Sequence, residues 1–408
     1  MRMGFVTDDG RSYKTSLSSR REFLAAAAVG LVACARGSHS LESRGESQPD
    51  DALLYVGTYT EGTRSDGIYL LRMDRRTGNL RRVGSVDAGA NPSFLAIHPN
   101  GRALYAANEV ETHNGKPTGA VSAFAIASDT GALTRLNEQP SEGGAPCFVS
   151  MDRSGRVVLV ANYAAGSVAM LPIKADGALA PATKVVRHTG SGPNAERQSA
   201  PHAHCIVADP SNRFALAADL GADRVFVYRL DLDGNSLRHI EGGDAVMRAG
   251  AGPRHIAFHP TLPLVFVANE LDSTVATLRF DAERGALSPL DIRSTVPAGW
   301  TGTNYPADIH IASSGRTLYV SNRGLNSLAV FSVAASTGAL TLEQMVPTEG
   351  DWPRNFSLDP TGRWLLVANQ RSDSVVVFGR DPESGRLTPT RQQIAIPSPV
   401  CLRFHASR

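Results

Sequence analysis

A two-part unit recurs along this chain at intervals of about fifty residues, and a repeat of that length leaves few architectures open. Its first half is clearest at residues 93–108: an apolar strand, a turn carrying Pro99, Asn100 and Gly101, then a second apolar strand. The same plan returns at 147–162, 204–219, 254–269, 308–322 and 354–369. Strand, turn and strand in that order make a β-hairpin. The second half is another aliphatic strand, a glycine turn and a further strand. It presents Ile68, Val121, Val168, Val225, Val275, Leu328 and Val375 at matching places. Its turns present Gly78, Gly131, Gly177, Gly234, Gly285, Gly338 and Gly385, each expected to supply the positive φ of a hairpin bulge.

Seven second halves are present against six complete first halves, so one unit is split between the termini. Residues 53–58 match the strand ending at Asn108, and residues 398–404 match the strand beginning at Ser93. Four antiparallel strands repeated seven times bury both faces of every sheet only when the sheets stack radially. A solenoid would leave uncapped ends, which the split unit argues against. The expected fold is therefore all-β: a single seven-bladed β-propeller over residues 51–408, with four antiparallel strands per blade and one blade closed by both termini.

Residues 1–50 do not take part in the repeat. Arg20 and Arg21 stand in Ser19-Arg-Arg-Glu-Phe-Leu24, followed by an apolar run that is too short for a membrane span and suits a signal segment. This resembles a twin-arginine export signal, and the run ends in Leu31-Val-Ala-Cys34, like a lipobox whose cysteine carries a lipid. Residues 1–34 are thus expected to be a signal peptide, with Cys34 the lipidation site and residues 35–50 a flexible tether. The expected location is the periplasm or cell envelope, with membrane contact only through a lipid anchor.

Composition removes other classes. With 41 Lys plus Arg against 39 Asp plus Glu and no long basic run, nucleic acid is not an expected partner. Cysteines 34, 147, 205 and 401 contain no C-x-x-C pair and are too few for a disulfide scaffold, so no structural metal is expected. There is no G-x-S-x-G elbow, and the glycine-rich stretches lead into strands, which removes the helix N-terminus of a dinucleotide or P-loop site. No cofactor is expected.

The first strand of each propeller blade lines the central channel. Aligning the units on the turn and stepping back five residues gives a rim column of Ser93, Cys147, His204, Arg254, Asp308 and Arg354, with Val400 in the split blade. The residues following the second strand, Tyr59, Glu109, Tyr163, Leu220, Glu270, Arg323 and Gln370, reach the same mouth. Propeller mouths are wet, and polar residues there often only satisfy strand ends. This collection goes further: Arg254, Arg323 and Arg354, the carboxylates Glu109, Glu270 and Asp308, and the imidazoles His202, His204 and His255 suit anion binding and proton transfer.

Several of these segments resemble the propeller lactonase family, which includes bacterial 6-phosphogluconolactonases and fungal 3-carboxy-cis,cis-muconate lactonizing enzymes. They are residues 55–60, Pro201-His-Ala-His204, residues 219–223, Gly252-Pro-Arg-His255, Ala268-Asn-Glu270, Ser321-Asn-Arg-Gly324 and residues 355–370. The resemblance implies cofactor-free lactone chemistry, with a His, two Arg and a Glu in the active site. On matching motifs these are His202 or His204, Arg254, Arg323 and Glu270. Glu270 or His204 is then the expected general base, and His202, Arg354, Asp308 and Glu109 the expected substrate contacts. An exported enzyme would not meet a cytosolic phosphorylated lactone, which points to an unphosphorylated sugar-acid lactone. A lactonizing cycloisomerase and a non-catalytic surface propeller are the rival readings.

Overall fold

The computed structural model describes residues 51–405. The chain divides into the units Met1–Gly45 and Glu46–Arg408. The expected export signal, Cys34 and the expected tether lie outside the described residues.

The described strands form seven sheets, and each carries four consecutive antiparallel strands of the repeat. Blade 1 is the exception in sequence order. Its strands run Pro399–Phe404, Asp51–Thr58, Ile68–Asp74, Leu80–Val86, so the C-terminal strand is innermost and pairs Leu54 with Phe404 and Gly57 with Cys401. Blades 2 to 7 begin at Pro92–Ile97, Pro146–Met151, Ala203–Ala208, Pro253–Phe258, Tyr305–Ile311 and Pro353–Leu358. Each of these inner strands packs against its counterpart in the next blade, and Pro399–Phe404 packs against both Pro92–Ile97 and Pro353–Leu358, which closes the ring. Blade 4 adds a short strand, Ala245–Val246, against Arg224–Asp231.

Apolar faces such as Leu104, Ala106, Val158 and Val160 are fully buried between blades. Polar contacts hold the blades in phase. Tyr55, Tyr105 and Tyr319 each donate a hydroxyl proton to a glycine carbonyl in the next blade, at Gly131, Gly177 and Gly385. At the end of the channel away from the rim column, His98, His259 and His405 meet the carbonyls of Gly155, Gly315 and Gly101 in neighbouring blades.

The glycine turns mostly follow the sequence expectation. Gly78, Gly131, Gly177, Gly285, Gly338 and Gly385 have φ between +70° and +87°. Gly234 does not; Asn235, at φ +47°, carries the left-handed position instead, which the short polar side chain of asparagine tolerates. At Gly131 a Cβ would lie 2.2 Å from Leu53, so the glycine also permits the close approach of two blades.

Candidate active site

Inner strands begin with a backbone irregularity. Pro253 pairs with Asn269 and His255 with Ala268, leaving Arg254 as an extra residue between them. The same shift frees Ser93, Cys147, His204 and Arg354. A bulge re-aims one side chain away from the sheet's alternation, here at the channel rim. Proline precedes the bulge in most blades because it cannot donate to the ladder and so marks the first residue of a strand. The facing residues are pinned beside it by backbone bonds: Glu109 N to Asn91 O, Tyr163 N to Ala145 O and Glu270 N to Gly252 O.

Blade 6 departs from the sequence alignment. Pro306 pairs with Asn322 and Ile309 with Val320, so the position of Arg254 is taken by Ala307 and Asp308 stands one residue deeper, level with His255. Asp308, expected among the substrate contacts at the rim, is buried and bonded to protein donors. The spacing agrees once the blade is anchored on Ala312, whose N–H bonds Thr317 O as that of His259 bonds Leu264 O: five residues back is Ala307, and counting from Ser313 displaces the column by one.

Glu270 is the centre of the mouth. Its Oε2 accepts from Arg254 Nε at 2.9 Å and from Arg323 Nη2 at 2.6 Å, and its Oε1 accepts from Arg197 Nη2 at 2.7 Å. Arg254 and Arg323 come from blades 5 and 6, and Arg197 from the connection between blades 3 and 4. Glu270, Arg254 and Arg323 are almost wholly buried, whereas the Arg197 side chain is 13% exposed. Arg197 lies in no repeat column, so sequence periodicity gave no signal for it. Its loop is anchored by the buried Gln198, which donates to Leu220 O and Asp223 Oδ1.

His204 and His202 part company. His204 is the bulge residue, fully buried, with Nδ1 3.6 Å from Cys147 Sγ and its ring edge-on to both Tyr163 and His255. His202 stacks on Tyr163 and donates from Nδ1 to the Tyr163 carbonyl at 3.0 Å. Tyr163 OH accepts from Arg197 at 3.1 Å, which connects the histidines to the arginine cluster. Burial pushes the Cys205 thiol up to about 12, so it stays neutral behind the rim.

Glu109 organises the other side. It accepts from Tyr59 OH at 2.9 Å and Ser93 Oγ at 2.5 Å, with Arg354 Nη2 4.0 Å away and its guanidinium over the Tyr59 ring. Trp352, at φ +65°, lies under the Arg371 guanidinium and near Arg323. The structure thus brings Glu270, Arg254 and Arg323 together beside His204, puts Glu109 with Arg354, and places Asp308 beneath.

Fold and rim define a seven-bladed propeller with a cationic, histidine-bearing mouth. Residues 53–404 match the family described as lactonase, 7-bladed beta-propeller, and the chain belongs to that family. It is 38% identical over 350 residues to the 6-phosphogluconolactonase of Bacillus subtilis (strain 168), covering 86% of this chain and 97% of the relative. The 6-phosphogluconolactonase of Formosa agariphila is 33% identical over 355 residues, covering 84% and 96%. Among solved structures, the Pseudomonas aeruginosa periplasmic gluconolactonase superimposes with a TM-score of 0.83 at 35% identity, covering 88% of this chain and 100% of that one.

Proposed function

We propose that this chain hydrolyses a sugar-acid lactone at the rim of the channel. The observation that carries the reading is the convergence of three arginines on one buried carboxylate, with His204 edge-on to His255, which accepts from one of those arginines. Hydrolysis adds water to the lactone carbonyl, and the tetrahedral oxyanion then expels the ring oxygen, which leaves as a hydroxyl after taking a proton. Guanidinium forks are suited to the oxyanion, and a donor placed for it is worth roughly 10²-fold to 10³-fold in rate. Arg197, the most exposed of the three, meets the substrate first. His204 takes the proton from water and returns it to the ring oxygen. Glu270, with both oxygens accepting from arginines, holds the guanidinium groups in place and does not act as the base.

The names of the relatives support lactone hydrolysis, and the periplasmic gluconolactonase supports an exported protein acting on an unphosphorylated lactone. Export by the twin-arginine route and a lipid on Cys34 belong to the same proposal. Changing Arg20 and Arg21 to Lys should retain the precursor in the cytoplasm. Labelled palmitate should enter the wild type and not Cys34→Ala, and label in both would remove the anchor. The test of activity is turnover of the purified protein on δ-gluconolactone, 6-phosphogluconolactone and a muconolactone. We expect fastest turnover of the first. Rates no higher than spontaneous opening on all three would overturn the reading.

A further inference from the structure

We propose that Asp308 is a positioning residue that sets the tautomer of His255 and, through it, the direction of the Arg254 guanidinium. Its effect on rate rests on the function proposed above; its effect on His255 does not.

Asp308 is buried one residue below the rim, and its carboxylate faces donors on every side. Oδ1 accepts from His255 Nδ1 at 2.8 Å and Ile309 N at 3.0 Å. Oδ2 accepts from His310 Nε2 at 2.9 Å, Asn355 Nδ2 and Phe356 N. A group that must accept at both ends has to be a carboxylate, since an amide presents a donor at one of them. Burial works against the charge, but His310 and His255 outweigh it and hold the carboxyl well below the usual carboxylate range.

The bond to Asp308 places the His255 proton on Nδ1. Nε2 is then a lone pair, and it accepts from Arg254 Nη1 at 3.0 Å. With the other tautomer, an N–H of the ring would face an N–H of the guanidinium. Burial and the neighbouring Arg254 keep His255 well below its ordinary value, hence neutral and able to accept. Arg254 Nη1 also donates to the carbonyl of Ala307, the residue before Asp308, at 2.5 Å, while Nε donates to Glu270. The strand carrying Asp308 therefore fixes one edge of the guanidinium and Glu270 the other. Asn355, which donates to Asp308, accepts from Leu402 N in the closing strand at 2.7 Å, so the carboxylate is tied to the ring closure as well.

Nitrogen-15 NMR of histidine-labelled wild-type protein reads the tautomer directly. We expect His255 with a protonated Nδ1 and an unprotonated Nε2, and a protonated Nε2 would overturn the proposal whether or not the protein turns over a lactone. Asp308→Asn should lower kcat by roughly 10²-fold with KM changed less than about threefold. His255→Gln, which leaves the carboxylate in place, should lower kcat similarly, and the double variant should lose no more than the worse single one. Multiplicative losses, or an unchanged kcat in His255→Gln, would also overturn it.

Discussion

Glu270 and Glu109 occupy the same position of the repeat, each directly after a blade's second strand, yet their neighbours give them different chemistry. Glu109 accepts from two hydroxyls, and Glu270 from three guanidinium groups. Glu270→Gln leaves one acceptor oxygen where two were used and turns an NH2 against an arginine. We expect kcat to fall by roughly 10²-fold while the acid limb of the kcat/KM profile stays. His204→Asn should remove that limb. If the limb disappears with Glu270→Gln instead, the base is Glu270. Arg197→Lys keeps the charge and loses the fork, so kcat/KM should fall by roughly tenfold to 10²-fold, with thermal stability changed little because an ammonium still faces Glu270. An unaltered kcat/KM would take Arg197 out of the site.

At the scale of strands and turns, two devices recur from blade to blade. Bulges aim residues at the rim, and glycine turns let adjacent blades approach. Gly285 has φ +70°, and a Cβ there would lie 2.2 Å from the Phe214 ring. Gly234 sits at the equivalent turn without a positive φ. Gly285→Ala should therefore lower the urea midpoint clearly more than Gly234→Ala, and equal effects would contradict the assignment of strain to that turn. Tyr55→Phe removes a 2.7 Å bond between blades 1 and 2 and leaves the Gly131 carbonyl unpaired. A loss of about 1 kcal/mol in denaturant unfolding is expected.

For the whole molecule, closure depends on the strand Pro399–Phe404, which is innermost in blade 1 and touches the inner strands on both sides. Deleting residues 398–408 exposes apolar faces of two neighbouring blades, a loss beyond the margin by which domains are stable. Cooperative melting at the wild-type temperature would contradict this. The buried histidines add a pH dependence. His255 and His259 both titrate below their ordinary value of 6.5 when folded, chiefly through burial. The unfolded chain then binds more protons below that pH, so this stability is complete above about pH 6.5 and is lost as pH falls. The Asp308 contribution is lost only further down, as pH falls below the usual carboxylate range. Melting temperature should drop between pH 7 and 5, and His255→Gln should flatten that drop; parallel curves would exclude His255 as a source.

The repeat by itself determined the blade count, the split blade and the two columns of rim residues, because alternation and turn chemistry are local and recur in register. It located Glu270, Arg254, Arg323 and His204 for the same reason. Arg197 was beyond its reach, since a loop outside the repeat delivers that side chain across the ring and only packing brings it to Glu270. Asp308 was misplaced by one residue, because the turn of that blade begins at Ala312 and not at Ser313, a boundary that the strand pairing and the Ala312 N to Thr317 O bond make plain. Which histidine enters the cluster was likewise a tertiary matter. His202 and His204 are two residues apart in one motif and both touch Tyr163, but the bulge at His204 turns its ring to His255 and Cys147 as well, whereas His202 stacks flat on Tyr163.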